Sequence, residues 1–377
     1  MKDEAQDHNF PCPACGGSLR FAPGEGQLIC DHCGHTEVLG AERRAQGSIP
    51  ETAFRRGIEA SLPEAETEVR RISHCPNCGA EVEFDPAVHA SACPFCATPV
   101  VADPDPARRI KPNGVAPFVI TGAQARAAMS KWLGSLWFAP SGLLAYARNG
   151  RALDGVYAPF WTFDAETASS YTGRRGTVYY VTQAVQVRDQ NGAVRTEMRQ
   201  VAQIRWTPVS GRVRRFFDDV LVLASRSLPE GHTEALKPWD LSRLEPYQPE
   251  YLAGFRAETY TISLDDGMDE ARGYMDRMIE RDVRFDIGGD RQEVASIDTD
   301  VSAVTFKHVL LPVWTAAYRF RGKSFRFVVN GQNGKVEGER PWSAVKIVLA
   351  LLLLACVIGG GVWLSQTPEV QKLLQGN

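Results

Sequence analysis

Eight of the nine cysteines form four CxxC pairs, arranged as two frames of identical spacing. In each frame, fourteen residues separate the second cysteine of one pair from the first cysteine of the next. A tetrahedral Zn²⁺ takes four thiolates at about 2.3 Å, and two CxxC turns joined by a short hairpin supply them. The sequence therefore predicts two structural zinc sites, whose ligands are Cys12, Cys15, Cys30 and Cys33 in the first and Cys75, Cys78, Cys93 and Cys96 in the second.

Other uses of these cysteines fit the sequence less well. Disulfides need an oxidising compartment, and the polar start MKDEAQDHNF does not read as a secretory leader. A redox CxxC belongs on a βαβ unit, which the pattern does not indicate, and a catalytic zinc keeps an open position that four cysteines would fill. Gly16, Gly34 and Gly79 follow the second cysteine of three pairs, where a glycine lets the backbone turn close under the metal.

The charge of the cysteine-rich region argues against nucleic acid. The whole chain carries −3, but residues 1–110 hold 10 Lys+Arg and 17 Asp+Glu, a formal −7. Two zinc ions with four thiolates each add a further −2 per site, which gives about −11. A module that binds DNA normally presents a basic face, so binding to nucleic acid is not expected here.

An apolar run near the C-terminus predicts a membrane anchor. Residues 347–364 contain no charged side chain and would span about 27 Å as a helix, close to a bilayer core of about 30 Å. Trp342, Lys346 and Trp363 stand where interfacial residues belong. We predict one transmembrane helix over 344–364, with the lipid bilayer as a partner.

The distribution of charge around this run predicts its orientation. Only Lys372 follows it, whereas a cluster of basic residues precedes it: Arg319, Arg321, Lys323, Arg326, Lys335, Arg340 and Lys346. The positive-inside rule then places the N-terminal bulk in the cytoplasm of a single-pass inner-membrane protein, with the C-terminus outside. Reduced zinc thiolates require the same reducing compartment.

The middle of the chain reads as mainly β with two helices. A helix is predicted from Gly122 to Phe138 after the N-cap Thr121, and another from Asp266 to Arg284 with an inward methionine stripe. Alternating β-branched and aromatic residues predict these strands: Thr177–Val187, Glu197–Trp206, Phe216–Ala224, Glu258–Leu264, Val301–Phe306, Val313–Phe320 and Ser324–Val329.

A P-x-W-T segment occurs twice, at Pro159 and at Pro312, and each copy precedes a Q-N-G-x-V turn. We interpret this echo as two related β-meanders that pack as a pseudo-symmetric pair. The predicted fold class is multi-domain α+β: two tandem four-cysteine zinc ribbons, a β-rich domain with two flanking helices, and one C-terminal transmembrane helix. The predicted boundaries are zinc ribbon 1 at 1–40, a partly helical linker at 41–66, zinc ribbon 2 at 67–110, a cytoplasmic β-rich domain at 111–341, the transmembrane helix at 344–364 and an external tail at 365–377.

No motif in the sequence predicts catalysis. Gly322-Lys323-Ser324 ends like a P-loop, but Ala317 replaces the glycine that this loop requires, and strand-like flanks favour a hairpin turn. Asp218-Asp219 and Asp265-Asp266 are adjacent carboxylates whose side chains diverge, so we interpret the first as a strand cap and the second as a helix start. We predict no enzyme activity and no catalytic residues, and a helicase or ATPase is not expected.

The frames CPACGG…CDHCGH and CPNCGA…CPFC resemble TFIIB-type zinc ribbons. Together with Pro117-Phe118-Val119-Ile120, GVYAPFWTFDA, LEPYQPEYLAGF and VVNGQNGKVEGERPWS, they look like a bacterial family of zinc-ribbon membrane proteins, over nearly the whole chain. Members are often labelled primosomal protein N′ or replication-restart helicase-like. The resemblance implies association with phage-shock protein A-like and SPFH or virion-core-like proteins in membrane stress, and carries over no catalytic residues.

These observations lead to two functional hypotheses. The first is a tail-anchored adaptor or scaffold that faces the cytoplasm and recruits protein partners to the inner membrane. The alternative is a membrane-tethered zinc-ribbon protein that binds nucleic acid in transcription or replication. An enzyme of unrecognised type in the β-rich domain is a third and weaker reading.

Overall fold

The computed structural model describes residues 10–39, 49–58, 67–82, 90–93, 95, 98–101, 105–138, 153–188, 194–228, 230–320, 323–339 and 342–365. In these ranges the α-helices are α1 Phe54–Ile58, α2 Gly122–Ser135, α3 Glu230–Ala235, α4 Leu264–Ile287 and α5 Ala344–Ser365. Short 3-10 helices cover Leu241–Arg243 and Pro249–Leu252.

The strands dominate the chain. Their bounds are β1 Leu19–Ala22, β2 Gln27–Cys30, β3 Thr36–Val38, β4 Thr52–Ala53, β5 Thr67–His74, β6 Glu81–Val82, β7 Ala90–Ala92, β8 Pro99–Val101, β9 Asp105–Ile110, β10 Gly114–Val115, β11 Asp154–Arg188, β12 Val194–Leu223, β13 Glu245–Pro246, β14 Arg256–Ala257, β15 Arg291–Phe320, β16 Lys323–Asn330 and β17 Val336–Gly338. One nine-stranded sheet has the path β12-β11-β15-β10-β13, with β4, β14, β16 and β17 attached to it.

Three strands are far longer than the three to ten residues that are usual. The central strand β11 has 35 residues, and β12 and β15 have 30 each. The predicted strands 177–187, 197–206 and 301–306 are segments of these continuous strands. The predicted strand Glu258–Leu264 is wrong, because β14 ends at Ala257 and Leu264 already begins a helix.

Helix α4 covers one face of the long strands. The Ser263 hydroxyl accepts the Asp266 N–H at 3.1 Å, and acidic residues occupy the first turn, where they favour helix formation. The predicted inward stripe is confirmed, since the buried residues include Met268, Ala271, Met275 and Ile279. Helix α2 begins as predicted, with a capping box between Thr121 and Gln124, and ends at Ser135 rather than Phe138.

The two P-x-W-T segments lie side by side in this sheet. Strand β11 pairs antiparallel with β15, and the register places Tyr157 opposite Pro312 and Pro159 opposite Leu310. A local twofold axis that maps Pro159 onto Pro312 and Tyr157 onto Leu310 therefore exchanges these two pairs. The copies are therefore neighbours in one sheet, related by a pseudo-twofold axis and joined edge to edge through β11 and β15. The first Q-N-G-x-V turn lies in 189–193, outside the described residues, except for its last valine.

The repeat extends to the helices. The Trp161 indole donates to the Ile262 carbonyl and the Trp314 indole to the Ile120 carbonyl, both at 3.1 Å. Each carbonyl stands just before the N-cap of α4 or α2. Tyr260 lies 4.9 Å from the Trp161 ring at 55°, and the equivalent Phe118 lies 4.9 Å from the Trp314 ring at 58°. The sequence therefore contains two copies of a helix–strand–strand unit, α2-β11-β12 and α4-β15-β16.

The predicted fold class needs correction. Instead of an α+β domain beside separate ribbons, the described chain is mostly β, and one large sheet takes segments from residue 52 to residue 338. The hairpin predicted at Gly322-Lys323 is confirmed by the antiparallel pairing of Phe320 with Lys323.

The predicted transmembrane helix is contradicted as well. Within the part of the chain that the structure describes, no helix is long and apolar enough to cross a membrane. This finding overturns the predicted span over 344–364 and the single-pass inner-membrane localisation that depends on it.

Candidate metal centres

The first cysteine frame folds into two equivalent turns. Gly16 donates its N–H to the Cys12 carbonyl at 2.8 Å, and Gly34 donates to the Cys30 carbonyl at 2.9 Å. Both glycines have left-handed backbones, with φ of +74° and +75°. Glycine adopts this conformation without strain, which explains its place after the second cysteine. The predicted close turn is confirmed.

The sulfur atoms of this frame have the separation that zinc requires. Cys12 Sγ lies 3.6 Å from Cys33 Sγ, and Cys15 Sγ lies 3.6 Å from Cys30 Sγ. All four ligand atoms lie within 4.8 Å of one another. A regular tetrahedron with Zn–S bonds of 2.3 Å has S···S edges of about 3.8 Å. Four soft thiolates at this separation fit a structural Zn²⁺ and leave no open coordination position.

Backbone donors prepare one of these sulfurs for its thiolate form. The N–H groups of Cys33 and His32 point at Cys30 Sγ and lower the pKa of the Cys30 thiol to about 6. The Gly17 N–H lowers the pKa of the Cys15 thiol, but hydrogen bonds to the neighbouring thiols Cys33 and Cys30, together with burial, outweigh it and raise that pKa to about 12. Zinc must therefore displace protons when it binds, and its affinity falls in acid.

The second frame repeats this geometry in its described residues. Cys78 Sγ lies 3.6 Å from Cys93 Sγ, and Cys75, Cys78 and Cys93 can share one ion. Gly79 has φ +74° and donates to the Cys75 carbonyl at 3.0 Å. The fourth predicted ligand, Cys96, lies outside the described residues. The residues that are described suit a second structural zinc site of the same kind.

Ribbon 1, the sheet β1-β2-β3 with its four cysteines, is packed against the main body. Phe21, 1% exposed, meets Tyr251 edge to face with ring centroids 5.5 Å apart. Its N–H donates to the Ala253 carbonyl at 2.9 Å, and the Gly24 N–H donates to the Phe118 carbonyl at 2.9 Å. Apolar burial and backbone hydrogen bonds together fix the orientation of this ribbon.

Ribbon 2, the segment 67–110 with the second cysteine frame, is attached beside the other copy of the repeat. The Arg109 guanidinium donates to Glu81 at 2.6 Å and stacks 5.2 Å from the Tyr260 ring. The Thr259 N–H donates to the Glu81 carbonyl at 3.1 Å. Tyr260 is the repeat equivalent of Phe118, so the two ribbons meet the two halves of the sheet at corresponding places.

A buried ionic cluster crosses the three long strands, and the sequence did not predict it. The Lys307 ammonium lies 2.7 Å from Asp219 Oδ1, 3.3 Å from Glu51 Oε1 and 3.7 Å from Asp164 Oδ2. Asp164, Asp218 and Asp219 are close enough to share a metal cation, but Lys307 already supplies the positive charge. Asp218-Asp219 is therefore a bulge inside β12, and its interpretation as a strand cap is wrong.

The bulges create this cluster. Asp219 and Ala303 both have φ of +50°, on the two strands that flank Asp164. The Asp219 N–H donates to Asp164 Oδ1 at 2.6 Å. Burial raises the pKa of Asp164, while Asp219, Asp164 and Glu51 outweigh the burial of Lys307 and raise its pKa. Strain at two non-glycine residues is the cost of bringing these charges together.

Glu258 is a second buried acid, and it precedes Thr259, whose N–H donates to ribbon 2. It is 2% exposed, and the Ser225 hydroxyl donates to its Oε1 at 2.6 Å. Burial raises its pKa to about 8, so the side chain is mostly neutral at pH 7. Within the described part of the chain, Oε2 finds no hydrogen-bond partner.

Fold and metal centres thus define a zinc-ribbon protein built on one long β-sheet. The model of the zinc finger of the RNA-polymerase I-specific TFIIB, Rrn7, matches residues 6–38, which supports zinc at the first site. Over 365 residues the chain is 25% identical to the uncharacterized protein YdjG of Bacillus subtilis, covering 94% of this chain and 99% of that protein. No solved structure matches the chain.

Proposed function

We propose that this protein is an adaptor whose two zinc ribbons hold protein partners on a rigid β-sheet. The main support is the way in which the ribbons are attached. Each is fixed to one half of a duplicated sheet by backbone hydrogen bonds and by an aromatic contact, which is buried Phe21 on Tyr251 for ribbon 1 and Arg109 on half-buried Tyr260 for ribbon 2. Two similar heads at corresponding positions suit a scaffold that binds two copies of a partner, or two related partners.

The chemistry of the first ribbon agrees with this proposal. Its zinc ligands leave no open position for catalysis, and its outer strand β3 is exposed along its length. Val38 on that strand is 69% exposed, an apolar side chain presented to solvent. The resemblance to zinc-ribbon proteins associated with membrane stress suggests phage-shock protein A-like and SPFH or virion-core-like proteins as partners.

The test is a pull-down of the full chain with its zinc retained. We expect a specific protein partner to be recovered, and Val38→Asp to weaken its capture without loss of zinc. Phe285→Asp is the matched control, because Phe285 is 89% exposed near the C-terminal end of α4, whereas ribbon 2 contacts Tyr260, before this helix begins, and ribbon 1 contacts Tyr251. Recovery of no specific protein, or equal capture by both variants, would refute the adaptor proposal.

A second candidate is binding to nucleic acid, favoured by the match of residues 6–38 to a TFIIB-type zinc finger. Arg199 and Arg205 add exposed positive charge on β12. The acidic ribbon region opposes this reading. Fluorescence anisotropy with a DNA duplex at 50 and 200 mM salt decides: binding with a steep salt dependence supports it, and no binding at 50 mM salt eliminates it.

A further inference from the structure

Two strands of the sheet extend beyond their neighbour. Pairing between β15 and β11 ends where Arg291 meets Gly176. Strands β11 and β12 continue as a two-stranded ribbon, residues 177–188 and 194–205, which we name the arm. Twelve residues per strand make the arm about 40 Å long. A two-stranded ribbon is at best marginally stable in water, so the arm calls for a covering partner.

One face of the arm and of the adjoining sheet is apolar and exposed. The pairing of β11 with β12 is regular from Ala165 to Arg188, so the even-numbered residues share the face opposite α4, which we name the outer face. The exposed apolar residues of these strands all lie on it: Tyr180, Val194, Met198, Ile204, Trp206 and Phe216. Their exposed fractions run from 38% for Trp206 to 67% for Tyr180 and Met198.

The outer face carries opposite charges on its two sides. Arg212 and Arg214 lie on β12, while Asp298 and Asp300 lie at the same levels on β15. Ser170 and Ala168 of β11 lie between the arginines and the aspartates, and their short side chains leave room for a facing surface to reach both pairs. All four charged residues are exposed, and none forms an ion pair with a residue that the structure describes.

We propose that the outer face binds the outer face of a second copy of this chain. A twofold axis parallel to the strands brings β12 of each copy over β15 of the other. The arginine pair of one copy then meets the aspartate pair of its partner, twice per dimer. An axis perpendicular to the strands at this level would place arginine on arginine, so these four residues favour the parallel arrangement. The parallel axis brings Glu166 of β11 near its counterpart in the second copy, one unfavourable pair against four favourable ones, whereas Arg174 of β11 is already paired with Glu293.

The apolar residues agree with the same arrangement. The axis lies over β11 at the level of Ser170. Along the arm, where β15 has ended, a slight inclination to the strands moves it by half a strand spacing, about 2.4 Å, to lie between β11 and β12, so β12 of one copy lies over β11 of the other. Ile204 then faces the level of Val178, and Met198 that of Ala184, according to the register within each copy. Apolar surface meets apolar surface on both sides of the axis, as in the packing of two β-sheets about 10 Å apart.

The size of the outer face is that of a stable interface. From Phe216 to Val194 the strand runs about 70 Å, and two to three strands give a width of about 10 to 14 Å. The product, roughly 700 to 1,000 Å² per copy, brackets the 800 Å² per partner of standard protein interfaces. The dimer does not depend on the proposed adaptor function, since any ligand of the ribbons would leave it intact.

Sedimentation equilibrium of the full chain tests this proposal. All samples contain the same mild detergent, because α5 exposes a run of apolar side chains. We expect the wild type to have twice the mass of the chain. Arg212→Asp/Arg214→Asp and Asp298→Arg/Asp300→Arg should each weaken the dimer at least about 100-fold, because like charges then face each other.

Mixing the two double variants gives the sharpest result. Every contact in a mixed dimer pairs arginine with aspartate, so the two variants should form a heterodimer although neither forms a homodimer. The four-residue variant that carries both changes should dimerise again. Arg272→Asp/Arg277→Asp on the exposed side of α4 is the matched control and should dimerise like the wild type.

Three results would overturn the proposal. The first is a wild type that stays monomeric up to 100 μM. The second is a dimer whose affinity neither reversal changes, which would assign association to another surface, such as the edge of β12. The third is a monomer whose binding to a DNA duplex is lost in Arg212→Asp/Arg214→Asp, which would assign the outer face to nucleic acid.

Discussion

Replacement of Lys307 by methionine removes the one cation that the structure describes within the cluster of Asp164, Asp219 and Glu51. Methionine keeps the length of the side chain but leaves the carboxylates without their counter-charge. The side chains of Lys307 and Asp164 are 9% and 5% exposed, so water cannot replace the lost ammonium. Breaking a buried ion pair by removing one partner costs about 3–5 kcal/mol.

The structure places the expected loss near the lower end of that range. Glu51 and Asp219 are 44% and 29% exposed, so solvent screens much of their repulsion. Asp164 carries most of the effect because it is buried. We therefore expect Lys307→Met to lower the free energy of unfolding by about 3 kcal/mol at pH 7.5.

The loss should depend on pH with a definite sign. The pKa of Asp164 is already raised in the folded protein, and removal of Lys307 raises it further. Because the pKa of Asp164 is higher in the folded than in the unfolded protein, the contribution of Asp164 to stability is present in acid. It is lost as the pH rises through the pKa of the folded state. The difference between variant and wild type should therefore shrink at pH 5.5.

Urea unfolding of the full chain at both pH values, followed by tryptophan fluorescence, measures this difference. Lys237→Met is the matched control: its ion pair with Glu234 is largely exposed and should contribute at most about 1 kcal/mol. A loss below 1 kcal/mol for Lys307→Met, or an equal loss at pH 5.5 and 7.5, would show that the cluster does not act as a buried ion pair.

Three further predictions concern the zinc sites, a buried acid and the internal repeat. Cys12→Ser and Cys75→Ser should each leave one zinc per chain by elemental analysis, and two zincs in either variant would contradict the assignment. Glu258 has a folded pKa of about 8, above its usual 4.5, so wild-type stability should fall between these values as pH rises; Glu258→Gln should remove that slope in urea titrations, and an unchanged slope would exclude Glu258 as its source. Trp161→Phe and Trp314→Phe each leave a helix-start carbonyl without its indole donor and should cost similar amounts, about 1–3 kcal/mol by thermal unfolding; a loss in only one would show that the two halves are energetically unequal.

Local features of the chain were predictable because their physics is local. The spacing of the cysteines requires metal turns, and the glycines after Cys15, Cys33 and Cys78 adopt the expected left-handed backbone. Thr121 caps α2 through residues three positions away, and the methionine stripe of α4 follows from helical periodicity alone. The P-x-W-T echo likewise indicated the duplication.

The lengths of the strands were not predictable in this way. Gly173, Gly176 and Gly211 lie inside β11 and β12, where glycine usually signals a turn. Two of these glycines instead make room for an aromatic side chain on the neighbouring strand: the Tyr171 ring lies over Gly211, and Trp206 lies against Gly176. These contacts join residues far apart in the chain, so composition and periodicity carry no trace of them.

The sequence by itself thus determined the zinc ligands, the helix starts and the repeat, each from residues within one turn or one hairpin. Only the tertiary structure decided that Asp164, Asp219 and Lys307 share one cluster, and that charge and apolar side chains line one exposed face. Both depend on the register between strands that are far apart in the chain: Asp164 and Lys307 are separated by 143 residues. Register is set by the packing of the whole sheet, and a shift of one residue would turn every side chain to the opposite face.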